Sequence, residues 1–308
     1  MVSVFNSLHA LGRAITYCIS LRTEYLANPD NGIQISFPVL PEAESPTRFA
    51  LLRAWLCWCD KSHDCNKHHV ESNTELPTRL LYVGDLGDPD YDPDVLRLDR
   101  CRGSHWTLGI RSSRRRATQI DQGKYIALSH CWGELPIEDK KQFCTTQDNI
   151  VQRLRGFSIS DLPKTFQDAV KVTRELRVPY LWIDSLCIIQ YEDNEEDWKR
   201  ESRRMEKVFS LAYCTIAATS AVDSKAGFLK RNVSTECVFV QNASGGRFYI
   251  CAGMDDFNND VEKAQLNTRA WVMQERVLSR RTIHFSNNQI YWECGEGVYC
   301  ENLTRLKR

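Results

Sequence analysis

YLWIDSLCIIQ (Tyr180–Gln190) is apolar from Tyr180 to Ile189 except at Asp184 and Ser185. Such a run reads as a strand buried on both faces, as in a parallel sheet covered by helices. Upstream, LPKTFQDAV (Leu162–Val170) places Phe166, Ala169, Val170 and Thr173 at helical spacing. Pro163 suits the first turn of that helix, and Val178-Pro179 stops it. Further upstream, the apolar strand Tyr125–Leu128 ends in Ser129, His130, Cys131, Trp132 and Gly133. Downstream, the acidic stretch Glu192–Asp197 complements a helix dipole, with Asn194 as N-cap and Trp198, Met205, Phe209 and Ala212 on the apolar face. Cys214–Ala218 is a third strand. Alternating strands and helices predict right-handed crossovers and an α/β fold, a three-layer parallel sheet.

Outside this core the pattern changes. Val238–Val240, Phe248–Cys251, Arg281–Phe285 and Gln289–Trp292 read as separate strands after Gly227. Toward the N-terminus, Leu8, Leu11, Ile15 and Ile19 predict a helix to about Asn28. A short helix is expected over Arg48–Cys59, a strand over Arg79–Val83, and loops over residues 33–47 and Gly84–Asp94. Arg111–Arg116 reads as a solvated basic loop. The expected organisation is an N-terminal extension, helical and loop-rich, over 1–120, packed on a second unit at 121–308. That unit has a core at about 124–222 and a β-rich closing segment at 223–308.

The chain of 308 residues carries 40 basic and 40 acidic side chains, so it has no global attraction for nucleic acid or an anionic membrane. No run reaches membrane-span length. Its 13 cysteines lie partly inside apolar runs, as at Cys187 and Cys214, and no signal-peptide pattern opens the chain. Reduced thiols and a cytoplasmic location are expected, which makes the Asn-x-Ser/Thr sites at Asn232, Asn242 and Asn302 irrelevant. There is no phosphate-binding Gly-rich loop, dinucleotide fingerprint or nucleophile elbow.

Ligands of open α/β sheets bind at the carboxyl ends of the strands. Ser129, His130, Trp132 and Gly133 end one strand, while Asp184, Cys187 and Gln190 belong to the next. If the two strands are parallel neighbours, these residues flank one crevice. A carboxylate inside an apolar run is costly unless paired or used, so Asp184 is a candidate; a turn cap is its competing reading. Glu201 shares a helix face with Trp198 and Met205, where burial would raise its pKa unless a cation answers it. In Arg269–Arg276, Gln274 and Glu275 stand beside Trp271; a docking helix with rim ion pairs is the alternative. Cys57, Cys59, His63, Cys65, His68 and His69 crowd one window. A metal is not the main expectation, and zinc on Cys59, His63 and Cys65 is the weaker reading.

The blocks YIALSHCWG, LPKTFQDAV, YLWIDSLCIIQ, DWKRESRRMEKVFSLAYCTIAATSA (Asp197–Ala221) and RAWVMQERVLSRR (Arg269–Arg281) resemble, in order, those of the fungal heterokaryon incompatibility (HET) domain. Ala270 stands where the family more usually has Gly, and His130 where Tyr is common. Trp55–Leu98 resembles the leader that often precedes this domain. HET domains in turn resemble TIR domains, with a flavodoxin-like core. The resemblance implies non-self recognition ending in cell death. Some TIR domains split NAD to nicotinamide and an ADP-ribose product, using a helical Glu to which Trp198-x-x-Glu201 is comparable. On that reading Glu201 and Asp184 are catalytic. Ser129, His130, Trp132, Gly133, Cys187, Gln190, Trp198, Trp271, Gln274 and Glu275 line the site. NAD is then a substrate and no cofactor is required. The alternative is a non-enzymatic death-signalling module acting by self-association, or with an allelic or NLR-type receptor.

Overall fold

The computed structural model describes residues 44–65, 76–85, 91–102, 105–106, 124–231, 237–241, 247–251 and 256–306. The helix expected before Asn28, the basic run Arg111–Arg116, and Asn232 and Asn242 lie outside them. Helix α1 (Pro46–Ser62) starts at an N-cap, Ser45, whose hydroxyl accepts from the Arg48 amide. Strands β1 (Arg79–Tyr82), β2 (Val95–Arg102), β3 (His105–Trp106) and β4 (Ile126–Ser129) follow, then α2 (Ile137–Phe143), α3 (Ile150–Arg155), β5 (Phe157–Ser158) and α4 (Lys164–Glu175). Strand β6 (Tyr180–Trp182) leads to α5 (Asp184–Cys187), α6 (Glu196–Ser202), α7 (Met205–Leu211) and β7 (Cys214–Ala217). The closing part comprises β8 (Cys237–Gln241), β9 (Arg247–Cys251), α8 (Ala270–Leu278), β10 (Arg281–Phe285), β11 (Ile290–Cys294), β12 (Gly297–Cys300) and β13 (Arg305–Leu306).

The fold is α/β, built on one 11-stranded mixed sheet. Its parallel part is the four neighbours β6-β4-β7-β10, which come second, first, third and fourth along the chain. The order reverses between β4 and β7, which makes their carboxyl ends the switch point of the sheet. The sequence reading expected a parallel sheet; the sheet is instead mixed, parallel only in this central part. Antiparallel β1 and β2 extend it beyond β6, and β11–β13 extend it beyond β10, while β8 and β9 form a separate hairpin. The segment before residue 120 thus contributes strands to the same sheet.

Two elements differ from their sequence reading. The apolar run from Tyr180 is not one strand: β6 ends at Trp182 and Asp184–Cys187 is a helical turn. Apolar composition cannot separate the two, because both are buried. The helix expected after Glu192 is two short ones. Glu192, Asn194 and Glu195 have left-handed backbone, and Asp193 rather than Asn194 accepts from the first amides, those of Glu195 (3.0 Å) and Asp197 (2.9 Å). The expected core assignments of Cys187 and Cys214 hold, and burial pushes both thiols up to about 12. Asn302 is buried too.

Candidate functional site at the strand ends

Parallel register pairs Ala127 with Trp182, so Ser129 and Asp184 each follow that pair by two residues at the same end of the sheet. Ser129 is level with Ala217 on β7. Beneath these ends Cys131, Ala217, Leu266 and Val272 form a small apolar floor. Gly133, at φ +76°, turns the chain away; a Cβ there would lie 2.3 Å from the Cβ of Asp223. The Asp223–Leu229 loop is held by α4, through Thr165 Oγ1 to the Asp223 carbonyl (2.9 Å) and Asp168 accepting from the Phe228 and Leu229 amides.

Five side chains make hydrogen bonds over that floor: Ser129, Trp132, Asp184, Arg269 and Glu275. Ser129 Oγ donates to Glu275 Oε2 at 2.5 Å. Trp132 Nε1 donates to Asp184 Oδ2 at 2.8 Å, and the Ser185 amide to Asp184 Oδ1 at 2.6 Å. Arg269, the residue before α8, donates from Nη1 to the His130 carbonyl at 2.5 Å and so pins α8 to the end of β4. Burial pushes Glu275 up to about 7; the Ser129 hydrogen bond opposes this, the Asp184 carboxylate adds to it, and Arg269 opposes it. Burial lowers His130 to about 4, so its imidazole is neutral at pH 7. The ring lies edge-on to Phe166 with centroids 4.9 Å apart. Glu275, Ser129 and His130 are buried, whereas Asp184, Trp132 and Gly133 are partly exposed, so a ligand would meet Asp184 and Trp132 first.

The match to the family model of heterokaryon incompatibility proteins spans residues 125–275, from the start of the central strand to the buried Glu275. The chain carries a HET domain. No curated protein and no solved structure matches it.

Within the HET domain the expected site residues divide. Ser129, His130, Trp132, Gly133, Asp184 and Glu275 come together. Cys187 does not line the crevice, because its thiol is buried in the core. Gln190 braces the turn, donating to the Asp184 and Ile188 carbonyls. Trp198, expected to pack inward, is 42 % exposed. Trp271 and Gln274 lie on the outer side of α8, with Val272 and Glu275 on the inner side.

Glu201 is buried but answered. Thr78 Oγ1 donates to it at 2.6 Å, Arg200 Nε at 3.1 Å, and Arg204 Nη1 lies at 3.7 Å. This places it beside the start of β1, across β6 from β4, so it does not share the cluster of Ser129 and Glu275. Its neighbour Asp197 ion-pairs Arg79 and Arg200. Arg269 and Asp168 are site-building residues that the sequence reading did not select. Arg269 sat inside a quoted block, but nothing local told it from its basic neighbours. Away from the crevice, Cys59, His63 and Cys65 are brought together with Cys294. A cleft of about 490 Å³ lined by Lys230, Arg231, Asn287 and Asn288 also lies outside the cluster.

Proposed function

We propose that this HET domain serves fungal non-self recognition by triggering cell death, as an enzyme that hydrolyses NAD to nicotinamide and ADP-ribose at the ends of β4 and β6. The observation that carries the reading is the pair of carboxylates in unlike surroundings at the switch point. Glu275 is buried and keeps a proton up to about pH 7. Asp184 is partly exposed and held by two donors. Environments that split two carboxylates supply one protonated and one anionic group at the same pH. Breaking the nicotinamide–ribose bond builds positive charge on the sugar, which an anion beside it stabilises. Asp184 takes that role, Trp132 offers a ring edge to a flat heterocycle, and Glu275 in its deprotonated form, present in quantity near pH 7, accepts through Ser129 the proton of the attacking water and then gives it up to solvent. Glu201, already engaged by Thr78 and two arginines, is a positioning residue on this reading.

Nicotinamide release by the purified full chain at high concentration tests this. The parent should release it, and folded Asp184→Asn and Glu275→Gln proteins should lose on the order of 100-fold in rate. Equal rates in all three would remove both carboxylates from the chemistry. One observation favours the non-enzymatic alternative. Met273 and Val277, four residues apart on one face of α8, are 71 % and 73 % exposed, an apolar pair suited to self-association. Assembly seen by light scattering without any nicotinamide release would support that module and overturn the enzyme.

A further inference from the structure

At the end of the parallel strands opposite the crevice, Cys59, His63, Cys65 and Cys294 converge, and their ligand atoms all lie within 4.8 Å of one another. The local chain explains three of them. Cys59 and His63, four residues apart, share one face at the end of α1, where the His63 amide donates to the Cys59 carbonyl at 3.1 Å. Ser62 ends the helix, and the following bend returns Cys65. The fourth, Cys294, ends β11, 231 residues beyond His63, with its sulfur 3.5 Å from His63 Nδ1. Trp58 packs edge-on against the His63 ring, with centroids 4.3 Å apart, and holds its orientation. Gly295 leaves room for the group, since a Cβ there would stand 3.4 Å from the Cys65 sulfur.

We propose that Cys59, His63, Cys65 and Cys294 bind one zinc ion in a structural site that ties α1 to β11. Structural zinc takes four Cys or His ligands in a closed tetrahedron, and its bond lengths set ligand atoms about 3.3–3.8 Å apart. The four atoms therefore need to close by about 1 Å at most, which side-chain rotation supplies. Atoms this close surround one ion and leave no space for an iron–sulfur cluster. Cys59 is fully buried, and His63 and Cys294 are nearly so, which suits a closed site and not a catalytic one with an open position. Three thiols packing as small hydrophobes would explain the sulfurs but not a buried imidazole turned toward one of them. Binding releases the thiol protons and adds the ion's affinity to folding stability. Cys57, exposed and outside the group, is a built-in control.

The test uses the full chain, purified reduced and without chelator. Elemental analysis should find one zinc per chain in the parent and in Cys57→Ala, and at least a tenfold loss in Cys294→Ala. Replacement by cobalt should give the visible absorption of a tetrahedral thiolate site. A strong chelator should lower the Tm of the parent and leave that of Cys294→Ala unchanged. If Cys294→Ala does not fold, the cobalt spectrum of the parent decides. A folded, reduced parent with neither zinc nor a cobalt spectrum would overturn the site. So would a disulfide between any two of Cys59, Cys65 and Cys294, located by peptide mapping of protein purified without reductant.

Discussion

Glu275 shows how a single residue takes its character from its surroundings. Its carboxyl ordinarily titrates at 4.5, and burial lifts it to about 7. The folded chain thus keeps a proton that the unfolded chain gives up. The stability tied to this proton is complete below pH 4.5 and is lost as pH rises through about 7, a change of about 3 kcal/mol. His130 works in the opposite sense: lowered from 6.5 to about 4, it costs stability as pH falls through that window. The two trends offset each other in the parent, so the informative quantity is a difference. Glu275→Gln cannot titrate, and its Tm relative to the parent should rise from pH 4.5 to 7 and then level off. A difference independent of pH would show that the carboxyl titrates as in water. The candidate role of Asp184 was legible from its position inside an apolar run. The perturbation of Glu275 was not, because its helix buries one face and sequence alone did not say which.

Among the elements, α1 is the clearest case of local pattern and remote anchoring. Its apolar residues and cap are readable, and the expected helix over Arg48–Cys59 lies within Pro46–Ser62. What fastens it is a buried ion cluster. Glu301, fully buried, accepts from Arg48 Nε at 3.0 Å and Nη2 at 2.9 Å, lies 2.9 Å from Arg231 Nη2, and takes the Ile290 amide at 3.0 Å. Removing one member of such a cluster strands the others in a low dielectric. Glu301→Ala should therefore cost about 3–5 kcal/mol, read as a lower urea midpoint at unchanged slope. A loss under 1 kcal/mol would mean that water reaches the arginines and replaces the carboxylate. The partners lie 253 residues apart, and nothing near either one announces the other. The same limit applied after Glu192, where a single helical period concealed a break and Trp198 ended outside.

For the whole molecule, the continuity of the sheet bears on where the HET domain ends. The family match begins at residue 125, yet β1 hydrogen-bonds along β6, β2 follows β1, and α1 closes over β11. A fragment of residues 121–308 would open the β6 edge and leave Glu301 without Arg48. It should lack cooperative thermal unfolding by circular dichroism, whereas the full chain should unfold in one transition. A fragment with its own sharp transition would make residue 120 a true domain border. Among the described residues, no helix is long and apolar enough to cross a membrane.

The sequence by itself determined the strands of the parallel core, the polar residues that end them, and the family blocks that carry them. These depend on periodicity and on residue types within a few positions. Tertiary structure alone decided which carboxylates are paired, which are merely buried, and where the fourth ligand of the Cys/His group comes from. Glu201 and Glu275 both sit on helices with mixed faces. One meets Thr78, Arg200 and Arg204 beside β1, and the other meets Ser129 over an apolar floor. Desolvation and charge pairing are set by neighbours brought from distant parts of the chain, so they cannot be read from spacing.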